Sequence, residues 1–267
     1  MPLIHSVIGL LLCLSLHACA APHVRFDQRA QDFGLTRSVV SGTDFQHAVF
    51  THITPRANEP LHVYINGDGI PWNARFFVAN DPTPSRSLAL DMLRRDQAPA
   101  LMLGRPCYHG LLKPPCTADH WTSGRFSKRV LISMQAALRN LLTQHAVSSV
   151  VLIGHSGGGA LAMLLAERVD EVTGVVTVAG VLDTDAWTTH HDYQPLFNSI
   201  NPAQRPALDV RQLHFYGESD SNTPATIMRS AIERHPNAQL EILEGQDHIC
   251  CWSLMWSELL EKVAKLY

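Results

Sequence analysis

The chain has 267 residues, of which 46% are hydrophobic and 17% charged, and its formal net charge is −3 at pH 7. This length and apolar content are enough for one sizeable core and do not require a second domain. The small net charge and the lack of any run of Lys or Arg argue against charge-driven binding to nucleic acid or to an anionic membrane surface.

Residues 1–20 have the pattern of an export signal, which leaves residues 21–267 as a single mature domain. Residues 7–16 are mostly apolar but too few to span a bilayer. The following Leu16-His17-Ala18-Cys19 is similar to a bacterial lipobox, in which the cysteine is acylated, and Ala18-Cys19-Ala20 also fits an ordinary cleavage site. We therefore expect an outer-membrane or periplasmic lipoprotein anchored through Cys19. Soluble secretion and an uncleaved anchor remain alternatives.

From about residue 45 onward, apolar periodicity predicts strands that alternate with helices. The predicted strands cover residues 45–53, 61–65, 100–103, 150–153, 172–179, 213–216 and 240–243. The predicted helices cover residues 86–97, 126–145, 160–168, 224–234 and 251–265. This alternation predicts an α/β domain with a mostly parallel central sheet flanked by helices.

The segment from Val150 to Gly159 carries the clearest chemical signal. An aliphatic strand leads into Ser156, and an Ala- and Leu-rich helix follows. A serine on a tight strand-to-helix turn needs small residues two positions away on either side, as Gly154 and Gly158 are. The N–H groups at the start of the helix can stabilise negative charge on a reacting oxygen. We therefore predict that Ser156 is a nucleophile; the alternative is a glycine-rich turn without chemistry.

The serine turn and the element order resemble the α/β-hydrolase fold from about Phe45 to the C-terminus. Three further segments resemble those of exported bacterial serine hydrolases of this fold. They are Gly67-Asp68-Gly69-Ile70-Pro71-Trp72, Arg105-Pro106-Cys107, and residues 121–127 with Trp121 and Arg125. The resemblance implies a catalytic triad in the chain order Ser, Asp or Glu, His.

Asp220 follows the strand at 213–216, and His248 follows the strand at 240–243. The resemblance therefore implies that His248 is the base for Ser156 and that Asp220 orients His248. Three other acidic residues remain alternatives for the acid: Asp183, Asp185 and Glu218.

The resemblance also implies an oxyanion hole made by the N–H of Gly157 and an N–H from the loop after the 61–65 strand. Asp68 is the expected donor in that loop, with Gly69 as the alternative. A plain Gly-Asp-Gly turn without a catalytic part is the other interpretation.

Several loop residues are candidates for lining a substrate pocket. We expect Trp72 and Trp121 to bind substrate, and the weaker candidates are His109, Arg125, Trp187, His190 and His191. The loop between Asp183 and Asp209 is too short for a large helical lid, which predicts an open site.

The cysteines outside the export signal are candidates for disulfides, because exported proteins meet oxidising conditions. We predict a bridge between Cys107 and Cys116. Cys250 and Cys251 form either a vicinal disulfide or a packing pair. We expect no metal and no cofactor, since the histidines and aspartates near residue 190 lack the spacing of metal ligands.

These features predict an exported serine hydrolase that cleaves carboxylic esters through an acyl-enzyme intermediate. Its substrate would be a small-molecule, lipid or polymer ester. A peptidase, amidase or thioesterase with the same triad is one alternative. The other, from a different class, is a lipid-anchored binding protein without useful catalysis.

Overall fold

The computed structural model of the chain describes residues 20–57, 59–74 and 76–266. The predicted export signal through residue 19, including Cys19, lies outside these residues. The strands are β1 (Thr36–Ser41), β2 (Gln46–Ile53), β3 (Leu61–Ile65), β4 (Trp72–Asn73), β5 (Phe77–Val78), β6 (Ala100–Leu103), β7 (Val150–His155), β8 (Val172–Val178), β9 (Arg211–Gly217) and β10 (Ala238–Leu243). The α-helices are α1 (Pro22–Asp32), α2 (Leu88–Leu93), α3 (Lys128–His145), α4 (Gly157–Ala166), α5 (Thr184–His190), α6 (Ala225–Glu233) and α7 (Trp252–Val263). Short 3-10 turns cover Ala118–Trp121, Pro202–Gln204 and Ala264–Leu266.

Eight of these strands form one sheet in the order β1-β2-β6-β3-β7-β8-β9-β10. The β1–β2 and β2–β6 pairs are antiparallel, and the other pairs are parallel. The predicted mostly parallel sheet is thus confirmed. Because parallel strands end at the same edge, the loops that follow β3, β7, β9 and β10 meet there.

The two faces of the sheet bury alternate side chains of the central strands. In β7, Val150 and Leu152 pack in one core, which includes residues of α3, α4 and α6. Val151 and Ile153 pack in the other core, which includes residues of α1, α2 and α7. All residues of β3 and β7 are buried, as expected for strands covered by helices on both faces.

The structure adds elements that the periodicity did not predict. α1 buries Phe26 and Ala30 alone, and β1 is mostly exposed at the edge of the sheet, so neither shows a strong apolar pattern. α5 begins where the Asp183 side chain accepts hydrogen bonds from the N–H groups of the first turn. The helix predicted over residues 86–97 is shorter in the structure, where α2 covers only Leu88–Leu93.

Among the described residues, no helix is long and apolar enough to cross a membrane.

Candidate active site

Ser156 occupies a tight turn between β7 and α4. Its φ of 53° and ψ of −123° are unusual for a residue with a side chain. The turn can be this tight because Gly154 and Gly158 have no Cβ. A Cβ at Gly154 would overlap the carbonyl of Gly158, and one at Gly158 would overlap the carbonyl of Ile65. The Ser156 N–H donates to the carbonyl of Val178 at 3.0 Å, which fixes the turn to the next strand.

The structure brings Ser156, His248 and Asp220 together from three strand ends. His248 Nε2 lies 3.1 Å from Ser156 Oγ, and His248 Nδ1 lies 3.0 Å from Asp220 Oδ2. Asp220 Oδ1 accepts the N–H groups of Asn222 and Thr223, and the Thr223 hydroxyl donates to Oδ2 at 2.7 Å. The arrangement is that of a nucleophile, a base and an orienting acid.

The surroundings of Asp220 keep its carboxyl ionised. Burial raises the pKa of Asp220, but the hydrogen bond and positive charge of His248, with the hydrogen bonds from Thr223, outweigh burial and lower the pKa to about 2. The carboxylate is therefore available at neutral pH to hold the His248 ring and to stabilise its protonated form.

The alternative acids have other partners in the structure. Asp183 accepts the N–H groups of Asp185 and Ala186 at the start of α5. Asp185 accepts a hydrogen bond from the Gln204 side chain at 2.8 Å. Glu218 is exposed. The geometry favours Asp220 over these three residues.

His155, which sequence reasoning did not single out, supports the base. Its Nε2 lies 3.0 Å from the backbone carbonyl of His248. Burial, with a smaller effect from the charge of His248, lowers the pKa of His155 to about 3. A neutral His155 can donate this hydrogen bond, and it thereby fixes the loop that carries His248. The sequence signal for this role of His155 is that it directly precedes Ser156.

Asp68 lies beside the start of α4, and two buried arginines hold its side chain. Arg105 Nη1 and Arg125 Nη1 each bind one carboxylate oxygen of Asp68, the latter at 2.5 Å. The carboxylate occupies the space that a side chain at Gly157 would take. The Tyr108 hydroxyl donates to the Asp68 carbonyl at 2.8 Å. The loop predicted to supply an oxyanion donor is therefore fixed from both its side chain and its backbone.

The charges around Asp68 do not cancel. Burial raises the pKa of the Asp68 carboxyl, but Arg125 and Arg105 outweigh burial and lower the pKa to about 2. One carboxylate and two guanidinium groups leave one positive charge in excess close to Gly157. Gly157 is the first residue of α4, so its N–H has no acceptor within the helix. The assignment of Asp68 and Gly157 as oxyanion donors stays a prediction.

A cleft of about 1330 Å³ contains Ser156 and His248. Of the predicted substrate-binding residues, Trp72 lines this cleft, as do Arg125, Trp187 and His191. Trp121 does not line it, so its predicted role in substrate binding is wrong. The Trp121 ring is buried, and its Nε1–H donates to the Ala79 carbonyl at 3.1 Å.

The two remaining candidates from the loops also lie elsewhere. The His109 ring is buried against the rings of Phe26 and Phe50. His190 is exposed, and its Nε2 lies 3.2 Å from the Ser221 carbonyl. Neither histidine lines the cleft.

The cysteines pair within the described chain. Cys107 and Cys116 form a disulfide with a Cα–Cα distance of 5.6 Å, as predicted. The sulfur atoms of Cys250 and Cys251 are also in direct contact, and a vicinal disulfide at this pair stays a prediction. Over residues 20–57, 59–74 and 76–266, no three His, Cys, Asp or Glu side chains group in a way that could hold a metal ion.

The sequence matches the lipase (class 3) family over residues 117–175, a segment that includes β7 and Ser156. No curated protein matches the chain.

Solved structures of similar fold cover most of the chain. An esterase from Pyrococcus furiosus is 13% identical with a TM-score of 0.63, covering 88% of this chain and 93% of its own. The naproxen esterase of Bacillus subtilis is 13% identical with a TM-score of 0.58, and the match covers 92% of this chain and 98% of the esterase. A bacterial membrane phospholipase A is 14% identical with a TM-score of 0.57, and the match covers 98% of this chain and 97% of the phospholipase.

At these identities the structural similarity establishes the fold. The lipase (class 3) match, together with the esterases and the phospholipase among the similar structures, supports an esterase- or lipase-like serine hydrolase. The chain therefore has the α/β-hydrolase fold.

Proposed function

We propose that the chain is an exported serine hydrolase that cleaves carboxylic ester bonds through an acyl-enzyme intermediate. The observation that carries this proposal is the continuous contact from Ser156 Oγ through His248 to Asp220 inside a large cleft. A nucleophile within hydrogen-bond distance of a base, with a third group orienting that base, is the arrangement that acyl transfer needs.

In the first half of the reaction, Ser156 Oγ attacks the ester carbonyl carbon while His248 Nε2 takes the serine proton. The carbonyl oxygen becomes negative and binds the N–H groups of Gly157 and Asp68. When the intermediate collapses, the bond to the alcohol oxygen breaks, and His248 returns the proton to the departing alcohol. Ser156 is left acylated.

In the second half, His248 removes a proton from a water molecule that attacks the acyl carbon. The bond to Ser156 Oγ then breaks, and His248 gives the proton back to the serine. Asp220 stays ionised throughout and stabilises each protonated state of His248. The excess positive charge of Arg105 and Arg125 over Asp68 favours the negative oxygen in both halves.

Two features support an exported enzyme. The Cys107–Cys116 disulfide fits an oxidising compartment. The sequence at residues 16–19 is similar to a lipobox, and we propose that Cys19 is acylated and anchors the enzyme in the bacterial envelope.

The test is hydrolysis of a short-chain chromogenic ester by purified protein. Ser156→Ala should lower kcat by a factor on the order of 10⁴ to 10⁶, and Asp220→Asn should lower it less. Ser149→Ala, which removes an exposed hydroxyl that contacts Thr173, is the matched control and should keep full activity.

Wild-type activity that survives in Ser156→Ala would refute the proposed mechanism. Turnover of an amide or thioester without turnover of esters would favour the alternative activities of the same triad. A folded protein that is inactive on all three substrates would favour a binding protein.

A further inference from the structure

A small hairpin formed by β4 and β5 projects from the loop that carries Asp68. We call residues 70–74 and 76–78 the apolar hairpin. Its base is closed by two backbone hydrogen bonds of 2.9 Å, from Ile70 N–H to the Pro82 carbonyl and from Ala79 N–H to the Pro71 carbonyl. The closed base indicates a built element, which holds its tip away from the core.

The apolar hairpin exposes large hydrophobic side chains. Phe76 is 81% exposed and Phe77 is 71% exposed. Ile70, Trp72 and Val78 on the same hairpin are also exposed. Single exposed hydrophobic residues are common on soluble proteins, but five of them on one short hairpin indicate an interaction surface.

This surface continues to the mouth of the cleft. Trp72 belongs to the apolar hairpin and also lines the cleft. From two other loops, Tyr193 and Ile249 line the same cleft and are likewise exposed. A substrate that reaches Ser156 therefore passes exposed aromatic and aliphatic side chains.

The start of the described chain lies at the base of the apolar hairpin. Asp81, just after the hairpin, accepts the N–H of His23 at 3.2 Å, and its Oδ2 lies 2.7 Å from His23 Nδ1. Ala20 is exposed. In the sequence, the proposed lipidation site Cys19 directly precedes Ala20.

We propose that the apolar hairpin docks the enzyme on a lipid bilayer, and that the substrate is an ester lipid drawn from that bilayer into the cleft. The substrate part of this proposal rests on the proposed function. Rings such as those of Trp72, Phe76 and Phe77 are the side chains that enter the interfacial region of a membrane. The net charge of −3 favours docking through apolar burial and not through attraction to anionic lipids.

The binding test uses the full chain with Ser156→Ala, to prevent turnover, and Cys19→Ser, to prevent acylation at that residue. Binding to neutral phosphatidylcholine vesicles is measured by co-sedimentation. Phe76→Ser with Phe77→Ser should lower the partition coefficient by a factor on the order of 100, because two exposed rings lose their burial in lipid. The matched control replaces two exposed aliphatic residues elsewhere, Val39→Ser with Leu254→Ser, and should bind as its parent does.

Insertion is also read directly from the fluorescence of Trp72. Vesicles of brominated phosphatidylcholine should quench the tryptophan emission of the parent protein, and Trp72→Phe should remove most of that quenching. High salt should leave both binding and quenching unchanged, since the contact is apolar. Absence of quenching at Trp72, or equal binding by the serine variants and the parent, would overturn the docking proposal.

Activity separates the two proposals. With Ser156 intact, Phe76→Ser with Phe77→Ser should keep wild-type turnover of a soluble short-chain ester and lose turnover of a vesicle ester lipid in proportion to its loss of binding. No turnover of either ester, with vesicle binding retained, would refute the proposed function and leave docking in place. A dimer in lipid-free solution that dissociates in the serine variant would assign the hairpin to a second copy of the chain instead.

Discussion

At the scale of single residues, the contact of Asp68 with Arg105 and Arg125 gives a role to two segments that lie outside the triad, Arg105-Pro106-Cys107 and residues 121–127. A buried carboxylate is tolerated only when it is paired, and each oxygen of Asp68 has its own guanidinium partner. Arg105 also donates to the Arg125 carbonyl at 3.1 Å, which ties the three residues into one unit. This unit holds the loop next to Gly157.

Replacing Asp68 tests this role. Asp68→Asn leaves two buried arginines without a carboxylate and loosens the loop, so kcat should fall by a factor on the order of 10² to 10³ with a smaller change in KM. Asp44→Asn, which breaks the exposed pair with Arg129, is the control and should change neither constant. Steady-state kinetics on a short-chain ester measure both. Wild-type kcat in Asp68→Asn would show that the loop needs no such support.

The residues of the triad could be predicted because each belongs to a local pattern. Ser156 lies between a strand and a helix, and Asp220 and His248 each follow a strand. Long-range pairs leave no such pattern: Arg105 and Arg125 meet Asp68 across 37 and 57 residues. Trp121 was assigned wrongly because its burial depends on contacts made in the folded chain.

At the scale of elements, the central strands were predicted well because continuous aliphatic runs need both faces covered. β3 and β6 match the prediction residue for residue. α1 and the edge strand β1 were missed because they bury too few side chains to show a period. The β4–β5 hairpin was missed because two-residue strands carry no periodicity at all.

The Cys107–Cys116 disulfide stabilises the segment that carries Tyr108, and so the contact of Tyr108 with the Asp68 loop. Cys107→Ala with Cys116→Ala should lower the free energy of unfolding by about 2 to 3 kcal/mol, because the unfolded chain regains the entropy of an open loop. Urea denaturation under oxidising conditions measures the loss.

The control is Cys250→Ala with Cys251→Ala, because a bridge between adjacent residues would enclose no chain segment beyond the pair itself. This control should change the free energy of unfolding by less than the Cys107 and Cys116 variant does. An equal effect of the two variants would contradict the loop-closure explanation.

At the scale of the whole molecule, the sheet joins distant parts of the sequence at one edge. His248 meets Ser156 across 92 residues, and this is possible because the loops after parallel strands share that edge. Burial also lowers the pKa of several histidines, to about 4 for His47 and to about 3 for His109, His155 and His214.

These buried histidines predict acid lability. In the unfolded chain each takes up a proton at a pKa of about 6.5, whereas in the folded protein each stays neutral to much lower pH. Their stabilising contribution is therefore complete above about pH 6.5 and is lost as the pH falls toward the folded values. Between about pH 6 and 4 the free energy of unfolding should therefore fall steeply.

Denaturation curves at several pH values measure this slope. His214→Gln removes one of these groups and should make the fall of stability with pH shallower. A free energy of unfolding that is constant from pH 7 to pH 5 would contradict the assignment of these histidines as neutral.

The central claim is that Ser156 is an activated nucleophile, and covalent labelling tests it most directly. The purified protein is treated with a fluorophosphonate probe, and the adduct is located by mass spectrometry, with Ser149→Ala as the control. We expect a single adduct on Ser156 in the wild type and the control, and none in Ser156→Ala. Folded wild-type protein that forms no adduct, or an adduct that persists in Ser156→Ala, would contradict the claim.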